Sequence, residues 1–495
     1  VPGAGKTAMI LGVFAYLNRL DIQENEKIER LLVICPLNAF DSWKREFKLV
    51  FEDKKTLKSI DTQTSKDFNY ELSVSWGVSN LILVNYESLQ KYFTTLNDNI
   101  DGKTMLVFDE VHRIKNPDGI RAKKALELSK NSKFKYVLTG TPIPNSYCDI
   151  YNFLNILYGN EYNSFFGWDT KFLVNPNLRQ TREINIKIHP FFWRTSKKDL
   201  NVPLADEDIL EVVSPSKEQL DLAEKIYFNE KSSLAVLIRL IQASTNPSLV
   251  NKKIDYNELM SCDGDIHTIS EEEFNMFLNE NVEDSLHSTY KYIDDNADSI
   301  VSPKFIKGIN LVQKLILEGK KVLVWGIFVD TLFKIKSALE EKGIKVNLVY
   351  GGTDKLERTS LIDEFRYGNI QVLVSNPQTL GESVSLHQTV HDAVYFEYDF
   401  NLTFMLQSRD RIHRLGLDKN QYTRYYYLQT ASEDINSFRP GFIDEKIYKR
   451  LKYKEKLMYD AIDSKELSIE YSDDEIREAI KIIDEERKRI NKKNE

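Results

Sequence analysis

Two adjacent carboxylates, Asp109 and Glu110, stand in the stretch "DEVHRIKNP" (109–117), directly behind the apolar run Met105–Phe108. Such a pair at a strand end can hold a divalent metal with one carboxylate and orient or deprotonate a water with the other. A solvent turn could carry the same residues, so the rest of the chain has to decide. The chain begins "VPGAGKT", in which Gly3, Gly5, Lys6 and Thr7 have the spacing of the end of a phosphate-binding loop. The glycines let backbone N–H groups approach phosphate oxygens, lysine reaches the terminal phosphates, and threonine offers a hydroxyl to Mg²⁺. The following "AMILGVFAYLNRL" reads as the helix whose N-terminus faces the anion. The full spacing G-x-x-x-x-G-K-T puts its first glycine one position before Val1, so a piece truncated at its N-terminus is expected.

With a phosphate loop upstream, the acidic pair acquires roles. Asp109 is expected to bind Mg²⁺, and Glu110 to orient and deprotonate the attacking water. Adjacent strand residues point to opposite faces, so the chain must turn here for both to serve one nucleotide. His112 has no second histidine at ligand spacing. It reads as a hydrogen-bonding link that couples hydrolysis to movement. A third constellation, "QSRDRIHRLG" (407–416), spaces Gln407, Arg411 and Arg414 by four and three, which predicts one helical face. Arginines of this kind stabilise charge on a transferred phosphoryl group, by ~10³–10⁵ in rate in other systems. The expected cofactors are ATP and Mg²⁺, with ATP drawing two lobes together.

The elements that must position these residues show in the hydropathy pattern. Before residue 145, "LLVICP", "LILVNY", "MLVFDE" and "YVLTGT" are apolar runs that each end in small, polar or charged residues. A second series, "KVLVWG", "VNLVYGG", "QVLVSN", "DAVYFEYD" and "YTRYYYLQ", follows Pro303. Continuous runs of this kind suit parallel strands covered on both faces, with functional groups at their carboxyl ends. Helices are predicted over Lys304–Glu318 and Thr331–Lys342. Near the C-terminus, Ser472 and Glu475 have capping-box spacing, and Ile476, Ile480, Ile483 and Ile490 share a helical face expected to pack on the body.

Charge is unevenly distributed over the 495 residues: the chain is −8 overall, yet residues 251–300 hold three Lys and thirteen Asp or Glu. That segment reads as a solvated acidic insertion, and the near-neutral remainder leaves room for a basic groove. No uncharged apolar run is long enough to span a bilayer, so no membrane partner is expected. Cys35, Cys148 and Cys262 fit neither a zinc pattern nor a disulfide framework. A soluble intracellular protein is expected, cytoplasmic if bacterial.

Taken in order, GAGKT, "ICPLNAFDSWKREF", "LVNYESL", "DEVHRIKNP", "LTGTP", "VLVSNPQTLGESVSLHQ" and "QSRDRIHRLG" resemble the motifs of superfamily-two helicase-like ATPases. The nearest branch is that of the chromatin remodellers (Swi/Snf-like), which are double-stranded DNA translocases. "FFWRTSKKDLNVPL", "RLIQASTNPSLV", "SPKF", "YGGTDKLERTSLIDEF" and "FIDEKIYKRL" extend the likeness to about residue 452. The resemblance implies an α/β fold: two RecA-like parallel-sheet lobes with a helical middle insertion and a helical C-terminal tail. The boundaries expected are 1–145 for the first lobe, 146–250 for a helical insertion returning to it, 251–300 for the acidic insertion, 301–452 for the second lobe and 453–495 for the tail.

The same resemblance implies that Thr139 and Thr141 couple nucleotide state to DNA grip, and that Gln407, Arg411 and Arg414 complete the ATP site. It also implies DNA-backbone contacts near Pro36, Asn85, Asn376 and His387. One motif departs from the branch: "TLGESVSLH" keeps Gly381 but has Leu380, Ser383 and Ser385 where glycine or asparagine is usual, and Glu382 adds a negative charge. A divergent bacterial or viral member would account for this. The expected function is an ATP-driven translocase on double-stranded DNA that remodels or displaces bound complexes, with a protein partner reached through the tail or the acidic insertion. A strand-separating DNA or RNA helicase is one rival reading. A nucleotide-gated nucleic-acid clamp without productive turnover is the other.

Overall fold

The computed structural model describes residues 5–19, 21–23, 26–117, 119–140, 147–174, 176–191, 197, 199–254, 296–380, 384–433, 439–463 and 475–491. The chain divides into two compact units, the first built on Val1–Leu200 and the second on Asn201–Asp263, His267–Leu457 and Ser472–Glu495.

In the first unit, strands β1 (Arg30–Ile34), β2 (Ser59–Asp61), β3 (Leu81–Val84), β4 (Thr104–Asp109) and β5 (Phe134–Leu138) form a sheet in the order β2-β3-β1-β4-β5. Every pairing is parallel, with Leu31 opposite both Leu81 and Met105. Alternate side chains of these runs enter two separate cores. Leu32, Ile34, Leu106 and Phe108 pack with Tyr86, Leu89 and Leu128 on one face. Leu31, Val33, Met105 and Val107 pack with Phe14, Trp43 and Phe47 on the other. Burial on both faces is why the runs are apolar without alternation. A helical stretch from Tyr147 to Phe191 completes this unit, and Tyr147, Phe153 and Ile156 join the first of those cores.

In the second unit, β6 (Ile209–Val213), β7 (Val322–Trp325), β8 (Val346–Val349), β9 (Val372–Ser375), β10 (Asp392–Tyr395) and β11 (Arg424–Thr430) are ordered β6-β11-β10-β7-β9-β8, again all parallel. The helices predicted over Lys304–Glu318 and Thr331–Lys342 run from Pro303 to Leu317 and from Val329 to Glu340.

Within the stretch 146–250, read from the sequence as a helical insertion returning to the first lobe, residues 201–250 belong to the second unit. There β6 hydrogen-bonds along β11, with Ile209 opposite Tyr426 and Val213 opposite Thr430. The helix Ser233–Thr245 is buried on every side, which suits its apolar composition all round. Its last turn meets a buried polar network in the same unit. Lys304 donates to Ser244 Oγ at 3.0 Å and to Asp444 Oδ2 at 2.8 Å, and the Thr430 N–H donates to Asp444 Oδ2 at 2.9 Å.

The tail helix Glu475–Asn491 lies on that same helix, burying Ile482 and Ile483. Ser233 Oγ donates to Asp484 Oδ1 at 2.7 Å, and Arg487 donates to the Glu230 carbonyl at 2.9 Å. This apolar face is used within the chain. Ser472 and most of the acidic insertion, 255–295, lie outside the described residues.

Candidate nucleotide and nucleic-acid sites

The first site gathers at the carboxyl end of β4 and at the start of the helix Lys6–Leu17. Gly5 precedes that helix with φ +75°, a conformation glycine adopts without steric cost, and no side chain caps the first turn. The leading N–H groups are therefore free of a side-chain cap and can receive an anion. Thr7 is half-buried on the first turn. Lys6 reaches toward the acidic pair, its Nζ 4.0 Å from Glu110 Oε1. Gly3 lies outside the described residues.

Asp109 ends β4 and is buried. The Trp43 indole N–H donates to Asp109 Oδ2 at 2.9 Å, and the Glu110 backbone N–H donates to Oδ1 at 3.0 Å. The Tyr86 hydroxyl donates to the Asp109 carbonyl at 2.8 Å. The turn that the sequence required here is real: Glu110 has φ +50° and ψ +50°, a left-handed conformation rare and costly for a non-glycine residue. Burial and the neighbouring Glu110 charge push the Asp109 carboxyl up to about 6. Burial also raises Glu110, but Lys6, His112 and Arg113 outweigh it and hold that carboxyl well below its usual range. At neutral pH the pair is therefore ionised beside a lysine.

His112 is buried, with Nδ1 3.3 Å from Glu110 Oε2 and 3.2 Å from Thr139 Oγ1. It bridges the acidic turn to the end of β5. Its Nε2 is buried without a hydrogen-bond partner among the described residues. Thr141 lies outside them. Asn85 is buried and committed inside the unit: its Oδ1 accepts from Thr62 at 2.8 Å and its Nδ2 donates to Glu87 Oε2 at 2.7 Å. Pro36 is buried as well.

In the second unit the predicted arginine face is not helical. The helix Leu402–Arg409 stops before Arg411, whose N–H bonds the Ser408 carbonyl in a tighter turn. Tyr425 Oη donates to the Arg409 carbonyl at 2.8 Å and Arg411 Nε to the Gln407 carbonyl at 2.9 Å. Gln407 is buried on the helix, whereas Arg411 and Arg414 follow it in a turn. Arg411 also donates to the Val384 carbonyl at 3.0 Å.

Arg409, which the spacing argument passed over, anchors the segment. It donates to Asp208 at 2.7 Å and to Tyr427 Oη at 3.1 Å, and lies 4.0 Å over the Tyr425 ring. His387 is half-buried, and Ser385 Oγ lies 2.8 Å from its Nδ1. Burial and the Arg414 charge, with His391, lower the His387 imidazole to about 4. Asn376 is buried at the end of β9, its Oδ1 without a hydrogen-bond partner among the described residues. It lines a cavity of about 20 Å³ together with Tyr395, Tyr398 and Asp399. A cavity of this size holds about one water.

No helix among the described residues is long and apolar enough to cross a membrane. Sequence reasoning missed Trp43 and Tyr86 as supports of Asp109. Trp43 lies inside the quoted "DSWKREF" motif, so a large aromatic with a single donor near a charged strand end was the available signal.

Residues 2–265, more than half of the chain, match the family described as the SNF2-related domain, and residues 307–416 match the helicase conserved C-terminal domain. Protein CHROMATIN REMODELING 24 of Arabidopsis thaliana is 25% identical over 96% of this chain and 45% of its own length. The SWI/SNF chromatin-remodeling complex subunit snf22 of Schizosaccharomyces pombe is 25% identical over 98% of this chain and 29% of its own. The chain thus spans less than half the length of these relatives. A solved structure titled Sulfolobus solfataricus SWI2/SNF2 ATPase core in complex with dsDNA aligns over 99% of this chain and 90% of its own, with 21% identity and a TM-score of 0.36. By its matched domains, the chain belongs to the SNF2-related family.

Proposed function

We propose that the chain is the motor of an ATP-driven translocase on double-stranded DNA, hydrolysing ATP to move on the duplex and displace what is bound. The observation that carries this reading is the run of contacts from Lys6 through Glu110 and His112 to Thr139. It links a phosphate-facing helix start to a strand end through one carboxylate. Membership of the SNF2-related family and relatives named for chromatin remodelling support it.

The donors suit a divalent ion, since Asp109 supplies a buried carboxylate at a strand end and Thr7 a hydroxyl on the first turn of the helix. Asp109 and Thr7 would hold Mg²⁺, which when bound offsets phosphate charge. The chain's own residues do the rest. Uncapped N–H groups behind Gly5 cradle phosphate oxygens. Lys6 leaves Glu110 for the terminal phosphates, which removes the strongest charge holding that carboxyl down and makes it a better base. His112 reports the change to Thr139. Arg414 of the second unit is the candidate to stabilise the transferred phosphoryl group, with Arg411 and Gln407 setting its segment. The neighbourhoods of Pro36, Asn85, Asn376 and His387 are the candidates for backbone contacts that position the motor without reading sequence.

Steady-state ATP hydrolysis by the full chain tests this. It is measured without nucleic acid, then with duplex DNA, single-stranded DNA and structured RNA, with Glu110→Gln as control. Stimulation by duplex DNA that the variant abolishes, together with displacement of a triplex strand, is the expected result. ATP binding with no turnover under any condition would overturn the motor in favour of a nucleotide-gated clamp.

A further inference from the structure

The loop 384–387 holds Ser385, one of the residues that depart from the glycine-rich pattern of the branch, and it is anchored at three consecutive residues. Arg411 donates to the Val384 carbonyl at 3.0 Å, Arg366 donates to the Ser385 carbonyl at 2.9 Å, and the Leu386 N–H donates to the Arg411 carbonyl at 2.8 Å. Two of these anchors come from the arginine segment itself. The third does not: Arg366 lies in the last turn of the helix Lys355–Tyr367, outside both motifs. Asp363, one turn earlier, accepts from one nitrogen of the Arg366 guanidinium at 3.1 Å and so leaves the other aimed at Ser385. The planar fork of arginine permits this division between two acceptors.

What the anchor controls is the setting of His387. The Ser385 hydroxyl lies 2.8 Å from His387 Nδ1, on the same residue whose carbonyl Arg366 holds. On the other side of the ring stands Gly416, with φ +100°, where an added Cβ would come within 3.0 Å of His387 Nε2. The ring is thus seated between the loop and the end of the arginine segment. With the imidazole held neutral, a single proton is shared between Ser385 Oγ and His387 Nδ1, which ties the ring to the loop in either tautomer. A shift of Ser385 moves the ring against Gly416.

We propose that Arg366 is a positioning residue for duplex-stimulated turnover: by clamping Ser385 it seats His387 against the arginine segment, so that nucleic-acid contact at the loop is felt where phosphoryl charge is stabilised. The proposal rests on the reading of the chain as a duplex-stimulated ATPase. Arg366 acts through the loop and not on nucleotide, so its loss separates stimulation from basal chemistry.

The experiment is a duplex-DNA titration of ATP turnover by the full chain, with the wild type, Arg366→Ala, Arg366→Lys and Ser385→Ala, and melting temperatures recorded for each. Arg366→Ala is expected to keep basal turnover within about twofold while raising the half-saturating duplex concentration about tenfold, the worth of one charge-assisted hydrogen bond. Arg366→Lys restores part of the shift. Should Arg366→Ala not fold, Ser385→Ala carries the test, since it frees His387 while leaving the carbonyl clamped; a shift in the same direction of about threefold is expected. An Arg366→Ala titration that overlays the wild type overturns the proposal. So does a parallel fall of basal and stimulated turnover with a lowered melting temperature that lysine does not rescue, which would mark a purely structural role. A wild type that duplex DNA does not stimulate removes the motor reading, and this proposal with it.

Discussion

Each unit carries a carboxylate just past a parallel strand, and the two have opposite fates. In the first, Asp109 and Glu110 close β4; in the second, Glu397 follows β10 by two residues. Glu397 has no exposed surface, and its oxygens are fully engaged: Oε2 accepts the Ile327 and Phe328 N–H groups at 2.9 and 3.1 Å, and Oε1 accepts the Thr331 hydroxyl at 2.9 Å. Glu110 keeps 23% of its side chain exposed and faces a lysine at 4.0 Å that can leave. Both carboxylates sit where α/β folds collect functional groups. Residue type and place in the fold are therefore not enough to make a site. Chemistry needs a carboxylate that keeps access to a ligand, as Glu110 does, whereas a sealed one such as Glu397 joins loop to strand.

If this contrast holds, the same change in the two places should break different things. Glu110→Gln removes the candidate base and should lower duplex-stimulated ATP turnover by about 10³, within the range of general-base losses, while leaving the melting temperature within a few degrees. A variant with wild-type turnover would remove Glu110 from the chemistry.

Glu397→Gln should do the reverse, sparing the candidate chemistry and acting on stability. Burial raises the Glu397 carboxyl to about 7 from its ordinary 4.5. Between those values the folded protein binds more protons than the unfolded chain, so the stability contributed by this group is full below about pH 4.5 and is lost as pH rises through about 7. The amide keeps an acceptor for the two N–H groups and cannot ionise. Its stability relative to wild type should therefore improve by up to about 3 kcal/mol between pH 5 and pH 8. Thermal melts of both proteins across that range measure the difference, and a pH-independent difference would mean that Glu397 does not titrate there.

The same distinction explains what the sequence could and could not disclose. The strands of both sheets that end in functional residues were legible, because two-sided burial leaves continuous apolar runs such as Leu81–Val84 and Val372–Ser375. Two strands were missed. β2 is three residues long, and β6 is a half-exposed edge strand whose partner β11 lies some two hundred residues further along the chain. The types in the phosphate and acidic motifs announced their chemistry. The place of Arg411 was another matter: a four-and-three spacing predicted a helix, but the Arg411 N–H turns to the Ser408 carbonyl and its Nε takes the Gln407 carbonyl. Periodicity reports the face a helix would present, not the residue at which it stops.

The supports of Asp109 sharpen the comparison at smaller scale, because one bonds the carboxylate and the other bonds the backbone of the same residue. Trp43→Phe removes the indole N–H from Asp109 Oδ2. That bond favours the ionised form, so its loss raises a carboxyl already near 6 and costs stability only where Asp109 is charged. In metal-free buffer the loss should reach about 2 kcal/mol at pH 8 and shrink toward pH 5, apart from a constant packing term from the smaller ring.

Tyr86→Phe deletes a buried hydroxyl that donates to the Asp109 carbonyl, a neutral acceptor. The phenol is pushed well above its ordinary value by burial and the Asp109 charge, so it stays protonated throughout the same range. Its removal should cost about 1 kcal/mol, and the same at pH 5 as at pH 8. Melting both variants side by side therefore separates the two kinds of support. Parallel pH dependence in Tyr86→Phe would show that holding the carbonyl also sets the carboxylate, because the strained turn at Glu110 transmits one to the other.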